Sequence, residues 1–350
     1  MLDADITKCF DRINHEALLR KLNTSPTIRR QIRAWLKAGV MDGGQLFPTS
    51  VSEAGARTRA TGTPQGGVIS PLLANIALHG MEERIDKAFP EMSQTMRETW
   101  YHKKGTKFVS PRFIRYADDF VILHKDITVV QRCREIISEW LIDMGLELKP
   151  SKTRLTHTLN GYGSEKPGFN FLGFNIRQWK VGKARRTEVS VRQTLRKYHS
   201  KEGFKTIISP SKEKQKIHYD RIASIIDDHK AAPQMALISR LNPVITGWSN
   251  YYSTSVSKVI FADLDNLMYP KLKAWAQHRQ QKKSGGWVSK KYWQTIGGDN
   301  WVFATRQEGK NPMRLRSHTE TKIIRHVKVE GDASPYDGNL IYWSSRCDSL

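Results

Sequence analysis

Two adjacent carboxylates, Asp118 and Asp119, stand between two short apolar runs in FIRYADDFVIL at 113–123. Apolar runs broken by a short polar centre predict a hairpin with both acids at its tip. Adjacent acids on a tight turn repel one another unless a cation neutralises them. Hard oxygen ligands suit magnesium, which binds through one or two carboxylates plus substrate phosphates. A second acidic segment, LDADI at 2–6, reads as a strand and places Asp5 at its end, where it can face Asp118 across a sheet. Two metal ions about 3.5–4 Å apart clamp the attacking and leaving oxygens of a phosphoryl transfer, and that chemistry draws carboxylates from separate strands. Asp3 and Asp11, close by, read as solvent-facing or capping residues.

A third piece is ATGTPQGGVISPLLANIALHGM at 60–81. Its glycines permit close backbone approach to a ligand. Gln65, followed by Gly66, supplies a neutral donor and acceptor for a sugar or base. Ser70 is placed as the N-cap of a helix, with Pro71 at its first position. The stretch 127–144 predicts a helix, since Val129, Val130, Cys133, Ile136, Ile137, Trp140, Leu141 and Met144 recur at three- and four-residue steps. Gly145 falls where a left-handed cap is expected. Cys133 belongs to the apolar face as packing. Residues 90–112, with Pro90, Lys103, Lys104 and Gly105, read as an exposed insertion.

The chain has 350 residues and a formal net charge of +23, with a sequence pI near 9.9. That excess points to a polyanionic partner, nucleic acid first. No apolar run has spanning length, no lipidation or secretory signal is present, and no membrane partner is expected. Cys9, Cys133 and Cys347 form no framework, which suits a reducing compartment. Residues 1–178 read as mixed α/β. From about 188 helical periodicity dominates. Leu237, Leu241, Val244, Trp248 and Tyr251 fit one face of a helix interrupted at Pro243, and Ile260, Leu264, Leu267 and Trp275 fit another. Residues 296–350 carry no strong period and read as a small basic appendage.

DITKCFD, GTPQGGVISPLLANI, RYADDFVIL, GLELKPSKT and FNFLGF resemble, in order, motifs A to E of the reverse transcriptases. The wording GTPQGGVISPLLANI resembles the group II intron members. LNPVITGWSNYYS at 241–253, with the helix to Trp275, resembles their maturase region, domain X. IIRHVKVEGDASPYDGNLIYW resembles the segment that leads to a nuclease domain in longer relatives.

The resemblance implies a polymerase palm of α/β (α+β) class over 1–178, with an antiparallel sheet and packed helices. A mostly helical thumb and domain X follow over 188–295, and a small basic segment over 296–350. It implies an RNA-directed DNA polymerase that extends a primer on an RNA template with two Mg2+ ions, which Mn2+ can replace. It also implies intron RNA binding for splicing and retrohoming. Asp5, Asp118 and Asp119 would be metal ligands, joined by the Ile6 carbonyl. Phe10 would be the ring that rejects a ribose 2′-hydroxyl and so favours dNTPs. Gln65 and Gly66 would lie beside the nucleotide, and Lys152 would protonate pyrophosphate. Leu172 and Gly173 would grip the primer. Trp248, Tyr251, Tyr252 and Trp275 are candidates for stacking on bases, at least half of them as core instead. Lys282, Lys283, Lys290, Lys291, Arg185 and Arg186 would contact phosphates as a group. The family's fingers region precedes motif A, so a fingers fragment or partner chain is expected to complete the triphosphate grip, with little extension without it. A bacterial-type cytoplasmic or organellar setting is implied. Two rivals are a non-enzymatic RNA-binding maturase and a retron or diversity-generating enzyme; the 241–253 segment speaks against the latter.

Overall fold

The computed structural model describes residues 1–38, 40–42, 45–47, 61–63, 67–89, 110–180, 204–306, 311–324, 329, 333 and 337–348. They fall into two compact units, Met1–Phe169 and Asn170–Leu350. The division lies inside the stretch expected to close the palm, so Leu172 and Gly173 belong to the second unit.

The first unit is built from β1 (Leu2–Ala4), α1 (Cys9–Arg12), α2 (His15–Lys21), α3 (Pro26–Lys37), β2 (Val40–Asp42), β3 (Gln45–Phe47), α4 (Ser70–Leu78), α5 (Met81–Ala88), β4 (Arg112–Tyr116), β5 (Asp119–Leu123), α6 (Ile127–Asp143) and β6 (Arg154–Leu155). Four strands form an antiparallel sheet in the order β4-β5-β1-β6. Phe120, Val121 and Ile122 of the inner strand β5 are all buried, so both faces of that strand are covered. Leu2, Ile122, Val130, Cys133, Ile137 and Leu141 join one core with Leu73 and Leu78.

Local signals place most helix ends. Asn14 accepts from the Ala17 amide at 3.0 Å, and Asp126 accepts from the Thr128 amide at 2.9 Å. Gly145 has φ +72°, and Leu146 donates its amide to the Leu141 carbonyl at 2.9 Å, which closes α6 as expected. The start of α4 differs by one position. Ile69 is the cap, Ser70 is the first helical residue and Pro71 the second. Burial of Ser70 at 1% explains why it does not stand outside the helix as a cap.

The second unit holds β7 (Phe169–Phe171), which begins at the junction, then β8 (Phe174–Lys180), β9 (Phe204–Pro210), α7 (Lys212–Asp228), α8 (Gln234–Tyr252), α9 (Lys258–Arg279), α10 (Gly285–Tyr292), β10 (Trp293–Ile296), β11 (Asp299–Thr305), β12 (Met313–Arg314) and α11 (Leu340–Asp348). Strands thus persist beyond residue 188: β9 pairs with β8 along its length, and β10-β11-β12 form their own sheet. Helix α8 runs through Pro243 without interruption. Its buried face is Leu237, Ile238, Leu241, Ile245, Ser249 and Tyr252, so Tyr251 is exposed. On α9, Leu267 is likewise exposed, and Phe261, Met268 and Leu272 take the core positions. Residues 299–315 supply Phe303 and Leu315 to the same core as Leu237, Trp275 and Tyr292. No helix among the described residues is long and apolar enough to cross a membrane.

Candidate active site

The β4–β5 hairpin pairs Tyr116 with Asp119, which leaves Ala117 and Asp118 as a two-residue turn. Ala117 has φ +54°, the left-handed conformation that tight hairpin turns demand at their first position. That costs an L-residue about 1–2 kcal/mol. Arg115 offsets part of it by donating from Nη1 to the Ala117 carbonyl at 2.9 Å, and the same nitrogen reaches Asn75 Oδ1 of α4 at 3.2 Å. Sequence reading passed over Arg115, because its role depends on a helix forty residues away.

On the neighbouring strand Ala4 pairs with Phe120, so Asp5 emerges at the end of the sheet that carries the Asp118–Asp119 turn. Asp5 is 9% exposed. Its backbone carbonyl accepts from the Lys149 amide at 2.8 Å, and the Thr7 amide donates to the Glu147 carbonyl at 2.9 Å. Ile6, between them, bridges Leu148 in antiparallel fashion, so its own carbonyl faces away from that strand. Asp3 is not solvent-facing. Arg154 binds it across the β1–β6 pair at 2.8 Å, yet burial still holds its carboxyl above the usual range.

The electrostatics record how close the acids lie. Burial, then the charges of Asp5 and Asp118, push the Asp119 carboxyl upward, while Lys152 partly opposes this. Lys152 Nζ lies 2.6 Å from Asp5 Oδ2. That hydrogen bond raises the lysine's pKa, helped by the charges of Asp5, Asp119 and Asp118. Burial and the Asp118 charge push the buried Cys9 thiol up to about 12, so it is no nucleophile. Burial likewise raises Cys133 to about 11, in keeping with packing. The donor set of Asp5, Asp118 and Asp119 carboxylates fits a hard divalent cation, and the charges of Asp5 and Asp118 add to burial in raising Asp119. No group of three or more His, Cys, Asp or Glu side chains among the described residues converges as a ready-made metal cluster.

Phe10 lies on α1, half-buried at the edge of the first unit's core. Residues 61–63 run beside it: Thr61 bridges Asn14, and the Gly62 amide donates to the Ile13 carbonyl at 2.9 Å. Gly62 has φ +92°, and a Cβ there would stand 2.8 Å from the Asp11 carbonyl oxygen. The close approach that this glycine permits is therefore to the chain itself. Gln65 and Gly66 lie outside the described residues, as do Arg185, Arg186 and the 90–109 part of the expected insertion.

In the second unit Leu172 (φ +50°) and Gly173 (φ +82°) form the β7–β8 turn. The Tyr251 hydroxyl donates to the Leu172 carbonyl at 3.0 Å, and the Tyr252 hydroxyl to the Gly173 carbonyl at 3.2 Å. The Phe174 ring packs on both tyrosines. Trp248 does not offer a free face: it stacks on His218 at 4.4 Å and touches Tyr252 and Phe261. Trp275 is buried and donates to the His229 carbonyl at 2.8 Å. Aromatic partners and hydrogen bonds already occupy Trp248, Tyr252 and Trp275, while Tyr251 is exposed. Lys282, Lys283, Lys290 and Lys291 are exposed. Lys283 and Lys291 flank the exposed Trp287, at 5.4 Å and 5.1 Å from its ring. Trp287 was missed in the sequence because one tryptophan among lysines has no period to mark its exposure.

Residues 1–176 match the family model described as reverse transcriptase (RNA-dependent DNA polymerase), and the chain belongs to that family. Residues 215–293 match the group II intron maturase-specific domain, which makes it a reverse transcriptase/maturase of the group II intron type. It is 25% identical over 312 residues to the group II intron-encoded protein LtrA of Lactococcus lactis subsp. cremoris, covering 72% of this chain and 48% of that protein. It is 27% identical over 201 residues to protein YkfC of Escherichia coli (strain K12), covering 50% of this chain and 46% of that one. An uncharacterized 91 kDa protein in the cob intron of Schizosaccharomyces pombe is 25% identical over 304 residues, covering 72% and 34%. The chain thus spans about half, or less, of the length of these curated relatives.

Proposed function

We propose that this chain carries the catalytic centre of an RNA-directed DNA polymerase that extends a DNA primer on an RNA template, and that it also binds intron RNA for splicing and retrohoming. The supporting observation is the set of acids at one end of the β5–β1 pair, Asp5 beside the Asp118–Asp119 turn, with Asp5 and Asp118 among the charges that, after burial, raise the Asp119 carboxyl. Family membership supports the use of divalent metals. Mg2+ is the proposed ion, with Mn2+ able to replace it.

Asp5 and Asp118 would hold the ions, joined by the Ile6 carbonyl and with Asp119 as the second acid of the turn. Bound there, the ions would supply Lewis acidity to the primer hydroxyl and the pyrophosphate leaving group. Phe10 would bound the sugar pocket from α1, with Gln65 and Gly66 beside the nucleotide. Lys152 would present a proton to the leaving group from Nζ. Leu172 and Gly173 would position the primer terminus. Lys282 and Lys283 would contact phosphates, and Trp248 is assigned to packing. On this reading residues 1–178 form the palm, 188–295 the thumb and domain X, and 296–350 the basic segment toward a DNA-binding region. A fingers element, from a further segment or a partner chain, would grip the dNTP triphosphate. The proposed setting is the bacterial cytoplasm or an organelle.

The test is primer extension on an RNA template with dNTPs, with Mg2+, with Mn2+ and with EDTA. It is run with the chain alone and with a fingers segment from a group II intron relative added. Metal-dependent extension that Asp5→Ala abolishes supports the reading; metal-independent extension contradicts it.

A further inference from the structure

We propose that the Lys152 ammonium holds the place of a divalent cation beside Asp5, so that cation binding and the Lys152–Asp5 ion pair exclude one another. The inference rests on the metal-site reading above and goes beyond it by naming what occupies the site when no ion does.

Asp5 lies at the end of the sheet that carries the Asp118–Asp119 turn, and Arg154 already takes Asp3. Asp5 is the most deeply set carboxylate of the remaining three, and a buried carboxylate is costly without a cationic partner. Lys152 Nζ supplies that partner at 2.6 Å. Among the described residues Glu165, Cys9 and Arg115 also lie near these acids; Glu165 shares Arg154 with Asp3. Cys9 is neutral, and Arg115 is committed to the Ala117 carbonyl and Asn75.

The way Lys152 is mounted suits a removable counter-ion. Its backbone is fixed. Pro150 opens the 3-10 turn Pro150–Lys152, the Lys152 amide donates to the Lys149 carbonyl at 3.0 Å, and the Lys149 amide donates to the Asp5 carbonyl at 2.8 Å. Its side chain is 57% exposed, so the ammonium reaches Asp5 from the solvent side on a flexible stem. A pair with one exposed partner is weakly held. A divalent ion at Asp5 brings twice the charge to the same oxygens and repels the ammonium at close range. The ion therefore displaces the lysine tip while its backbone stays anchored. The freed ammonium then lies next to the ion's other ligands.

Mn2+ binding to the full chain, followed by electron paramagnetic resonance without nucleotide, tests this. Lys152→Met should bind Mn2+ about threefold or more tighter than wild type, since it removes a competing cation. Lys152→Arg, which keeps the charge, should stay near wild type. The rise in melting temperature on adding Mg2+ should be larger in Lys152→Met than in wild type. Asp118→Asn should lose the binding. Equal or weaker Mn2+ binding by Lys152→Met, with Asp118→Asn still defective, overturns the place-holder and leaves the metal site standing. Absence of Mn2+ binding in every form, Lys152→Met included, overturns both.

Discussion

Asp119 shows what neighbouring acids cost the protein. Its carboxyl is raised by burial first and by Asp5 and Asp118 next. A raised folded pKa means that the neutral form is the better fit. Its stability contribution is complete below the ordinary carboxylate range and is lost as pH rises through the raised value. At neutral pH the ionised group therefore opposes folding, though solvent screens it. Asp119→Asn should raise the melting temperature of the metal-free protein at pH 7 by about 1–2 °C and have less effect at pH 4. Thermal denaturation in EDTA at both values checks this, and a lower melting temperature at pH 7 would contradict it. Phe10 makes a second prediction at this scale. Phe10→Val removes a steric clash and not an attraction, so rNTPs should be admitted while dNTP use persists. Competing dNTP and rNTP incorporation measures it, and an unchanged preference would mark Phe10 as packing alone. The placement of Asp118 and Asp119 at a hairpin tip was legible in the sequence because apolar runs flank them on both sides. Arg115 was not, since its value lies in reaching two partners that only the folded chain brings near it.

Among the elements, the β7–β8 turn is held closely by α8. Leu172 in a left-handed conformation is unusual for a bulky side chain, and the two tyrosine hydroxyls of α8 hold its carbonyl and the next. A Cβ on Gly173 would stand 2.8 Å from the Tyr252 hydroxyl. Gly173→Ala should destabilise the protein by about 1–3 kcal/mol from backbone strain and this clash. Adding Tyr252→Phe should recover part of that loss, because it removes the atom the Cβ meets. A double-mutant cycle by chemical denaturation reads the coupling, and strict additivity would contradict the clamp. The sequence showed α6 well, where apolar positions repeat and a glycine closes the helix. It misled on α8, where Pro243 suggested a break. The helix continues because its buried face of Leu237, Ile238, Leu241 and Ile245 holds both sides of the proline in one core. Strands β9 to β12 were not foreseen, although β9 and β11 have seven residues each and the Gly297–Gly298 pair joins β10 to β11 as a hairpin.

At the scale of the whole molecule, the charge of +23 and the exposed lysines around Trp287 predict binding governed by phosphate neutralisation. RNA affinity should fall with salt at a log–log slope of about −0.7 to −0.9 per phosphate contact. A chain ending near residue 185 should lose most of that affinity. Salt titrations of both forms check this, and full binding by the short form would overturn it. The maturase family match ends at residue 293, but the second unit's core does not. Phe303 and Leu315 are buried in it, and His318 bonds to Asp265 at 2.6 Å and to His218 at 2.8 Å. Burial, then the neighbouring His318, lowers the His218 pKa to about 3, so that ring stays neutral inside. The composition of 296–350 disguised this, because a few buried residues among many polar ones leave no period. Metal-dependent copying of RNA by Asp5, Asp118 and Asp119 is the proposed activity. A comparison of wild type with Asp118→Ala tests it, in primer extension on RNA with Mg2+, with a fingers segment supplied and RNA affinity measured in parallel. Wild type should extend the primer, the variant should lose about a thousandfold or more, and RNA affinity should be equal. Extension by Asp118→Ala at the wild-type rate, or RNA binding by wild type with no extension at all, would contradict it.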